Sequence, residues 1–186
     1  MPAYIALLRG INVSGHKPVP MADLRKLFAK LGFADAQTYI QSGNVVFTSA
    51  GKDAAKIGKA IEAGIGKAFG FEVPVVVRSL AALRAALAAN PYGKEKLAEN
   101  ERLYITFLAA APGKAEAAKL EAIVDANDEV KVKGADVFLR IGAGYGKSVF
   151  SNTLVEKKLG VAATTRNIET SRKLVALAEG LAGGGV

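Results

Sequence analysis

The sequence predicts an α+β protein made of two consecutive β-α-β-β-α-β units that pack together. Short apolar stretches of strand length alternate with longer stretches whose apolar residues recur at helical spacing, and this order of elements occurs twice. A polar, charged segment with Pro91 and Gly93 separates the two runs. The predicted division is a first unit at 1–78, a connecting helix and linker at 79–102, and a second unit with a C-terminal helix at 103–186.

The first unit opens on a strand at residues 3–9 that is apolar on both faces, as is typical of a central strand. Its first helix is expected to begin at Pro20, because proline suits a helix start, and to end at Gly32. A second helix is expected to end before Gly70. The remaining strands are predicted at 38–40, 45–47 and 73–78. This order is that of the ferredoxin-like plait.

The second unit repeats the order without letter-by-letter similarity. Its first helix is expected to begin at Pro112 and to turn Leu120, Ile123 and Val124 toward the core. Ser148 is expected to cap the next helix, and a final helix is followed by a glycine tail that we expect to be mobile. The strands are predicted at 103–108, 130–132, 137–140 and 163–166.

The strands at 3–8 and 73–77 are apolar on both faces, whereas a lone plait covers only one face of its sheet with helices. The second unit or an added helix is therefore expected to cover the other face. This arrangement predicts a compact pair, with a cleft between the units as the default place for a ligand.

Composition excludes several classes of chemistry. The chain has 186 residues with no cysteine and one histidine, His16, which excludes disulfides, thiolate metal sites, cysteine nucleophiles and zinc sites built on several imidazoles. We predict no metal and no cofactor. Because the sequence has no apolar run of about 18 residues and no leader-like start, we expect a cytoplasmic protein without a membrane partner. The oligomeric state is left open.

The formal net charge is +8, and it is unevenly distributed. Residues 1–78 hold ten basic and five acidic side chains, and residues 131–173 hold nine basic and three acidic ones. Between them, residues 79–130 hold six basic and eight acidic side chains, and Asp125, Asp128 and Glu129 form what we interpret as a solvated acidic corner. The basic blocks predict an anionic partner, either a small molecule or, less favoured because exposed aromatic residues are few, a nucleic acid.

Three polar segments are predicted at strand ends, at 9–12, 41–44 and 164–167. They combine amide and hydroxyl side chains with Arg9 and Arg166, whose planar guanidinium groups suit phosphate or carboxylate. In the alternative interpretation, the asparagines satisfy only their own turns. In a plait the end of the first strand and the turn between its middle strands are expected at opposite or offset edges, so the topology alone does not bring these segments together. The hypothesis of an anion site nevertheless requires Arg9 and Arg166 to meet around one shared cleft.

Two further segments contain glycine, serine or histidine in patterns that resemble catalytic or phosphate-binding motifs. Residues 141–148 (IGAGYGKS) do not form a phosphate-binding P-loop, because Ile141 stands where that motif needs glycine. Amides beside Ser148, with Lys147, could still hold an anion, unless this serine is only a cap. Ser14 and His16 do not form a nucleophile and base, since side chains two residues apart in a loop rarely reach that geometry.

Four blocks of the sequence resemble the bacterial DUF1697 family. They lie at residues 4–16 (YIALLRGINVSGH), 19–33 (VPMADLRKLFAKLGF), 38–47 (TYIQSGNVVF) and 159–167 (LGVAATTRN). The resemblance spans nearly the whole chain. It implies a pair of α/β plaits and a function that is not established. The chain departs from the family pattern at Ile168, where an aromatic residue usually stands, and at Ser14, where glycine is common.

The sequence therefore predicts a binding module for a phosphorylated or otherwise anionic small molecule in the cleft between the units. The alternatives are a transferase or hydrolase acting on a phosphorylated substrate, with unknown catalytic residues, and a protein that binds the nucleic-acid backbone. The candidate ligand-binding residues are Arg9, Asn12, Lys17, Gln41, Ser42, Asn44, Ser148, Arg166 and Asn167.

Overall fold

The computed structural model describes residues 1–183, except for the side chain of Ala34. Two compact units are present, one made of Met1–Arg84 and Lys173–Val186 and the other of Ala85–Arg172. The glycine tail predicted after the last helix lies outside the described residues from 184 on, while Gly183 still belongs to that helix. No helix within residues 1–183 is long and apolar enough to cross a bilayer.

The first unit contains one four-stranded sheet in which every pair of neighbouring strands is antiparallel. The strand order is 2-3-1-4, as in a split βαβ plait. The elements are β1 (Ala3–Leu8), α1 (Met21–Lys30), β2 (Ala34–Tyr39), β3 (Asn44–Thr48), α2 (Ala54–Phe69) and β4 (Val75–Ser79), followed by α3 (Leu80–Ala89).

The second unit has the same topology, with strand order 6-7-5-8 and antiparallel neighbours throughout. The predicted α+β class and the two β-α-β-β-α-β units are thus confirmed. The elements are β5 (Arg102–Leu108), α4 (Lys114–Glu121), β6 (Asp128–Lys133), β7 (Asp136–Ile141), a 3-10 turn (Tyr145–Lys147), α5 (Asn152–Leu159) and β8 (Ala163–Asn167). The last helix, α6 (Ile168–Gly183), begins in this unit, and its residues from Lys173 on belong to the first unit.

Each sheet buries one face under its own helices. In the first unit alternate residues of β1, among them Tyr4 and Leu8, pack with apolar residues of α1 and α2. Phe47 lies at the centre, with its ring centroid 5.2 Å from that of Phe28 and 5.0 Å from that of Phe33. The opposite face of β1 is also buried, since Ile5 and Leu7 are fully inaccessible. In the second unit β7 packs in the same way with residues of α4 and α5.

Two predicted placements are wrong. Val124 is 94% exposed, because α4 ends at Glu121 and the helical spacing no longer determines which way the next residues face. Ile40 was predicted to end a strand, but β2 stops at Tyr39 and Ile40 has a φ of 50° in the turn that follows. A β-branched residue rarely adopts this left-handed conformation, so apolar character alone did not reveal the turn.

Glutamates from the helices cover unpaired N–H groups on three of the four edge strands. Glu62 accepts a hydrogen bond from the backbone N–H of Val75 at 2.9 Å, and Glu156 accepts one from Ala163 at 2.9 Å, at equivalent ends of β4 and β8. Glu121 accepts the N–H of Val132 on β6 at 2.7 Å. Such bonds block edge-to-edge pairing with another chain as well as satisfying the backbone.

We expect Glu62→Ala to lower the free energy of unfolding by about 1.5–2 kcal/mol, because the partly buried N–H of Val75 loses a charged acceptor. Glu62→Gln keeps an acceptor oxygen and should cost less than about 1 kcal/mol. Lys59→Ala removes only the ion pair with Glu62 and should change little. Urea unfolding measures all three variants, and an equal loss for Glu62→Gln and Glu62→Ala would contradict the role of the acceptor.

Candidate functional site

Two of the three polar segments meet at one end of the first sheet. Because β1 and β3 are antiparallel neighbours, the end of β1 lies beside the start of β3, and the Leu8 N–H donates to the Gly43 carbonyl at 2.8 Å. The Arg9 N–H donates to the Pro74 carbonyl at 3.0 Å. The expectation of opposite or offset edges is therefore wrong. We call residues 9–20, 40–43 and 72–74 the loop end of the first unit.

The side chain of Asn12 joins two segments of the loop end through hydrogen bonds. Its Nδ2 donates to the carbonyls of Val19 and Gln41, both at 3.0 Å, and its Oδ1 accepts the Val19 N–H at 2.8 Å. The residue adopts a φ of 54°, which asparagine tolerates better than most residues do. The side chain therefore fixes the path of the loop and joins it to the 40–43 turn. Gln41 contributes its backbone carbonyl to this junction.

Residues 12–17 form a small exposed hairpin, which we call the finger. Its base is closed by the bond from the Asn12 N–H to the Lys17 carbonyl at 3.1 Å, and its tip by the bond from the His16 N–H to the Val13 carbonyl at 2.8 Å. Ser14 and Gly15 at the tip have φ values of 49° and 78°, the signature of a type I′ turn. Lys17 also has a positive φ, and its Nζ donates to the Glu72 carbonyl at 2.6 Å.

The 40–43 turn is held by Asn44, which is fully buried. Its Nδ2 donates to the Tyr39 carbonyl and to the Ser42 hydroxyl, both at 3.0 Å. A Cβ on Gly43, whose φ is 86°, would lie 2.7 Å from the Cβ of Leu8, so only glycine fits between the two strands. Asn12 and Asn44 thus support the local turns, as in the alternative interpretation of these segments.

Backbone strain concentrates at the loop end. Five non-glycine residues in the described chain have positive φ, and all but Asp35 lie there: Asn12, Ser14, Lys17 and Ile40. Left-handed conformations of such residues cost about 1–3 kcal/mol each and cluster at functional sites. The rest of the first unit holds these conformations in place. Such a concentration of strained residues is typical of a functional site.

The loop end is also electropositive. Residues 9–20 contain Arg9, His16 and Lys17 without an acidic residue, the 40–43 turn carries no charge, and the 72–74 segment adds the exposed Glu72. With His16 neutral, the net charge of the loop end is therefore +1. The backbone N–H groups of Gly10, Ser14 and Gly15 make no hydrogen bond within residues 1–183. Chain segments in which left-handed residues alternate with ordinary ones can turn N–H groups toward a common anion.

The third polar segment, in the second unit, has a different character. Arg166 is 8% exposed, and its Nη1 donates to the Thr164 hydroxyl and to the Thr165 carbonyl, both at 2.8 Å. Burial lowers the pKa of Arg166 to about 10, against a smaller opposing effect of Tyr145. Asn167 accepts the Glu169 N–H at 2.8 Å and so supports the first turn of α6.

Sequence reasoning missed a hydroxyl cluster centred on Thr165. Its Oγ1 donates to the Asn152 Oδ1 at 2.7 Å, accepts the Tyr145 hydroxyl at 2.9 Å, and lies 2.6 Å from the Thr106 hydroxyl. Tyr145 also packs against Tyr104, with ring centroids 5.0 Å apart. Thr106 and Thr165 face each other on paired strands. The available signal was the polar Thr106 between the apolar Ile105 and Phe107, since Thr165 lies within the polar 164–167 segment.

Ser148 does not cap a helix. α5 begins at Asn152, and its cap is Ser151, whose hydroxyl accepts the Leu154 N–H at 3.2 Å. The Ser148 hydroxyl instead accepts the N–H of Phe150 at 3.1 Å. The helix starts late because Phe150 is fully buried and the chain must first enter the core. The predicted helix start at Ser148 is therefore wrong, whereas Ser148 as a ligand-binding residue stays a prediction.

Comparison with known proteins finds one matching protein family and similar solved structures. A family model described as "Protein of unknown function (DUF1697)" matches residues 1–138. The conserved bacterial protein SP0830 from Streptococcus pneumoniae is similar in structure, with a TM-score of 0.76 and 25% sequence identity over 95% of this chain and 98% of that one. An unknown protein from Galdieria sulphuraria covers 89% of this chain and 98% of its own at 15% identity, with a TM-score of 0.26. No curated protein matches the chain.

Proposed function

The chain belongs to the DUF1697 family, and we propose that it is a binding module for a phosphorylated or otherwise anionic small molecule, held at the loop end of its first unit. One observation supports this proposal above the others. Strained left-handed residues coincide with cations and with backbone N–H groups that lack partners within residues 1–183. That a single site is shared by Arg9 and Arg166 stays a prediction.

The finger supplies the N–H donors of the proposed site. Ser14 and Gly15 lie at its exposed tip, and Lys17 at its base is positioned through its own bond to Glu72. An anion at this place would gain charged and neutral hydrogen bonds, and Lys17 binds Glu72 through its backbone carbonyl and not through its carboxylate. Arg9, at the end of the central strand β1, adds positive charge to the same end of the sheet.

Titration calorimetry with pyrophosphate tests the proposal. We expect the wild-type chain to bind pyrophosphate and Lys17→Gln to bind about tenfold more weakly, the loss that corresponds to one charge-assisted hydrogen bond. Lys26→Gln is the matched control, because Lys26 is exposed in the same unit and pairs with Asp23. Absence of binding at millimolar pyrophosphate, or an equal loss in both variants, would contradict the proposal.

The alternative functions give different results with the same variants. Binding to a nucleic-acid backbone predicts that affinity for a short oligonucleotide exceeds that for pyrophosphate and falls steeply with salt. A transferase or hydrolase predicts that a phosphorylated probe is consumed, which phosphorus NMR detects. A bound probe that stays intact, with a shallow dependence on salt, supports the binding module.

A further inference from the structure

Strand β2 is the one edge strand within residues 1–183 whose backbone no helix glutamate covers. The other three edge strands, β4, β6 and β8, each have an N–H group bonded to a glutamate carboxylate. β2 forms one end of the first sheet, with β3 as its neighbour. Because an uncovered edge is a template for pairing with a further strand, the first sheet can be extended at β2.

The register of the first sheet identifies the backbone groups of β2 that point outward. The Leu8 N–H donates to the Gly43 carbonyl at 2.8 Å, so odd-numbered residues of β3 bond to β1 and even-numbered residues bond to β2. Since Gln37 pairs with an even-numbered residue of β3, its N–H and carbonyl groups face β3. Those of its neighbours Ala36 and Thr38 therefore point away from the sheet. No hydrogen bond within residues 1–183 reaches them.

Ile40, the residue after β2, presents an apolar side chain to solvent from a strained backbone. Its φ is 50°, which a β-branched residue rarely adopts, and it is 51% exposed. Folding of a single chain therefore gains little from the burial of this side chain to offset the strain. A contact with a surface outside the chain would bury it.

A hollow of about 340 Å³ lies at the other end of β2, between this strand and α1. Its lining combines charged and apolar residues, namely Arg25, Ala29, Gly32, Phe33, Asp35 and Ala36. The pairing of β2 with β3 shifts register between Ala34 and Gln37, and Asp35 has a φ of 55°, so a bulge ends the regular part of the edge beside the hollow. The edge is self-complementary, because it has an exposed apolar side chain at one end and a hollow at the other.

We propose that two copies of this chain pair through their β2 edges, antiparallel to each other and about a two-fold axis at Gln37. This register places Ala36 of each copy opposite Thr38 of the other, and each such pair exchanges both of its N–H···O bonds. Ile40 of each copy then lies about 10 Å along the strand from the axis, opposite the residues that begin the hollow of the other copy. The contact buries the strained isoleucine and satisfies the outward backbone groups.

Charge favours a second copy of this chain over an unrelated strand. Arg25 lies over one end of the regular edge, where its Nη1 donates to the Thr38 hydroxyl at 2.7 Å, and Asp35 precedes the other end. Both residues are exposed, and neither forms an ion pair within residues 1–183. In the two-fold register each Arg25 comes beside Asp35 of the other copy, so opposite charges flank the paired strands on both sides of the axis.

Reversal of the charges tests the register. Arg25→Glu and Asp35→Lys each place like charges at both contacts, so each should weaken self-association about tenfold relative to wild type. An equimolar mixture of the two variants should associate as wild type does, because opposite charges then meet at both contacts. Lys26→Glu is the matched control, since it makes the same charge change on the next residue of α1 and should leave self-association unchanged. Sedimentation velocity over a range of protein concentrations measures all four samples.

Variants of the backbone edge keep the test decisive if Asp35→Lys does not fold. Thr38→Pro removes an outward N–H without breaking a bond to β3, so it should weaken self-association about tenfold. Thr38→Val keeps this N–H and removes only the hydroxyl that binds Arg25, so it should associate nearly as wild type does. In the wild-type chain, the Ala36 and Thr38 amides should exchange with solvent more slowly at high protein concentration than at low.

Ile40→Asn separates association from folding. Asparagine adopts a φ near 50° more readily than isoleucine does, so the urea midpoint of the isolated chain should not fall. Self-association should nevertheless weaken about tenfold, because the apolar side chain that the second copy covers is lost. Val124→Asn is the control, since Val124 is also an exposed valine-type side chain, at 94%, but lies in the second unit.

The contact is short, so we expect the wild-type chain to associate between about 10 μM and 1 mM. A wild-type chain that stays monomeric at about 1 mM overturns the proposal and leaves the β2 edge to a different protein. Association that Thr38→Pro and Ile40→Asn leave unchanged also overturns it, because the two copies then meet through another surface. Recovery of association in the mixed charge variants upholds it.

Discussion

Gly43→Ala is expected to lower the free energy of unfolding by about 3–5 kcal/mol. Two costs add at this position. The residue has a φ of 86°, which any side chain disfavours, and the new methyl carbon would lie 2.7 Å from the Cβ of Leu8 and 3.0 Å from the Cδ1 of Ile11. Both neighbours are fully or almost fully buried, so neither can move aside cheaply. Urea unfolding followed by circular dichroism measures the loss.

Gly10→Ala is the matched control for this substitution. Gly10 also has a positive φ, 70°, and lies at the same loop end, but an added Cβ would meet nothing within 4 Å. It should cost only the conformational term, about 1–2 kcal/mol. If the two variants lose the same amount, close packing between β1 and the 40–43 turn contributes nothing, and the tight junction described for the loop end is incorrect.

The order of the elements could be predicted because it depends on local patterns. The apolar stretch of β1, the helical spacing of Leu24, Leu27 and Phe28, and the glycine that ends α2 are each visible in a few residues. Element ends were less predictable. Ile40 is apolar and continues the predicted strand, but it lies one residue past the end of β2. Val124 continues the helical spacing of apolar residues, but it lies three residues past the end of α4.

The candidate site was harder to predict because it depends on strand pairing. The meeting of the 9–20 loop with the 40–43 turn follows from the pairing of β1 with β3, and no short window of sequence contains that fact. The same holds for Thr165, whose partners Thr106 and Asn152 are 59 and 13 residues away in sequence.

Asn12→Ala is expected to cost about 3 kcal/mol and to release the finger from the first sheet. The substitution removes three hydrogen bonds, to Val19 N–H, Val19 carbonyl and Gln41 carbonyl, and places alanine at a φ of 54°. Urea unfolding measures the total loss in the free energy of unfolding, and amide hydrogen exchange shows which residues are destabilised. The Val19 N–H, whose acceptor is lost, should exchange much faster, whereas the N–H of Ile57 in α2, bonded to the Asp53 carbonyl, should change only with global stability.

Asn12→Gly separates the two contributions to this cost. Glycine accepts the left-handed backbone freely but supplies no side chain, so it should lose only the hydrogen bonds and be about 1 kcal/mol more stable than Asn12→Ala. Both variants should also bind pyrophosphate more weakly than wild type, because the N–H groups of the finger are no longer held in place. Wild-type stability and unchanged Val19 exchange in Asn12→Gly would show that the side chain does not tie the loop to the 40–43 turn, and the proposed anion site would then lose its fixed geometry.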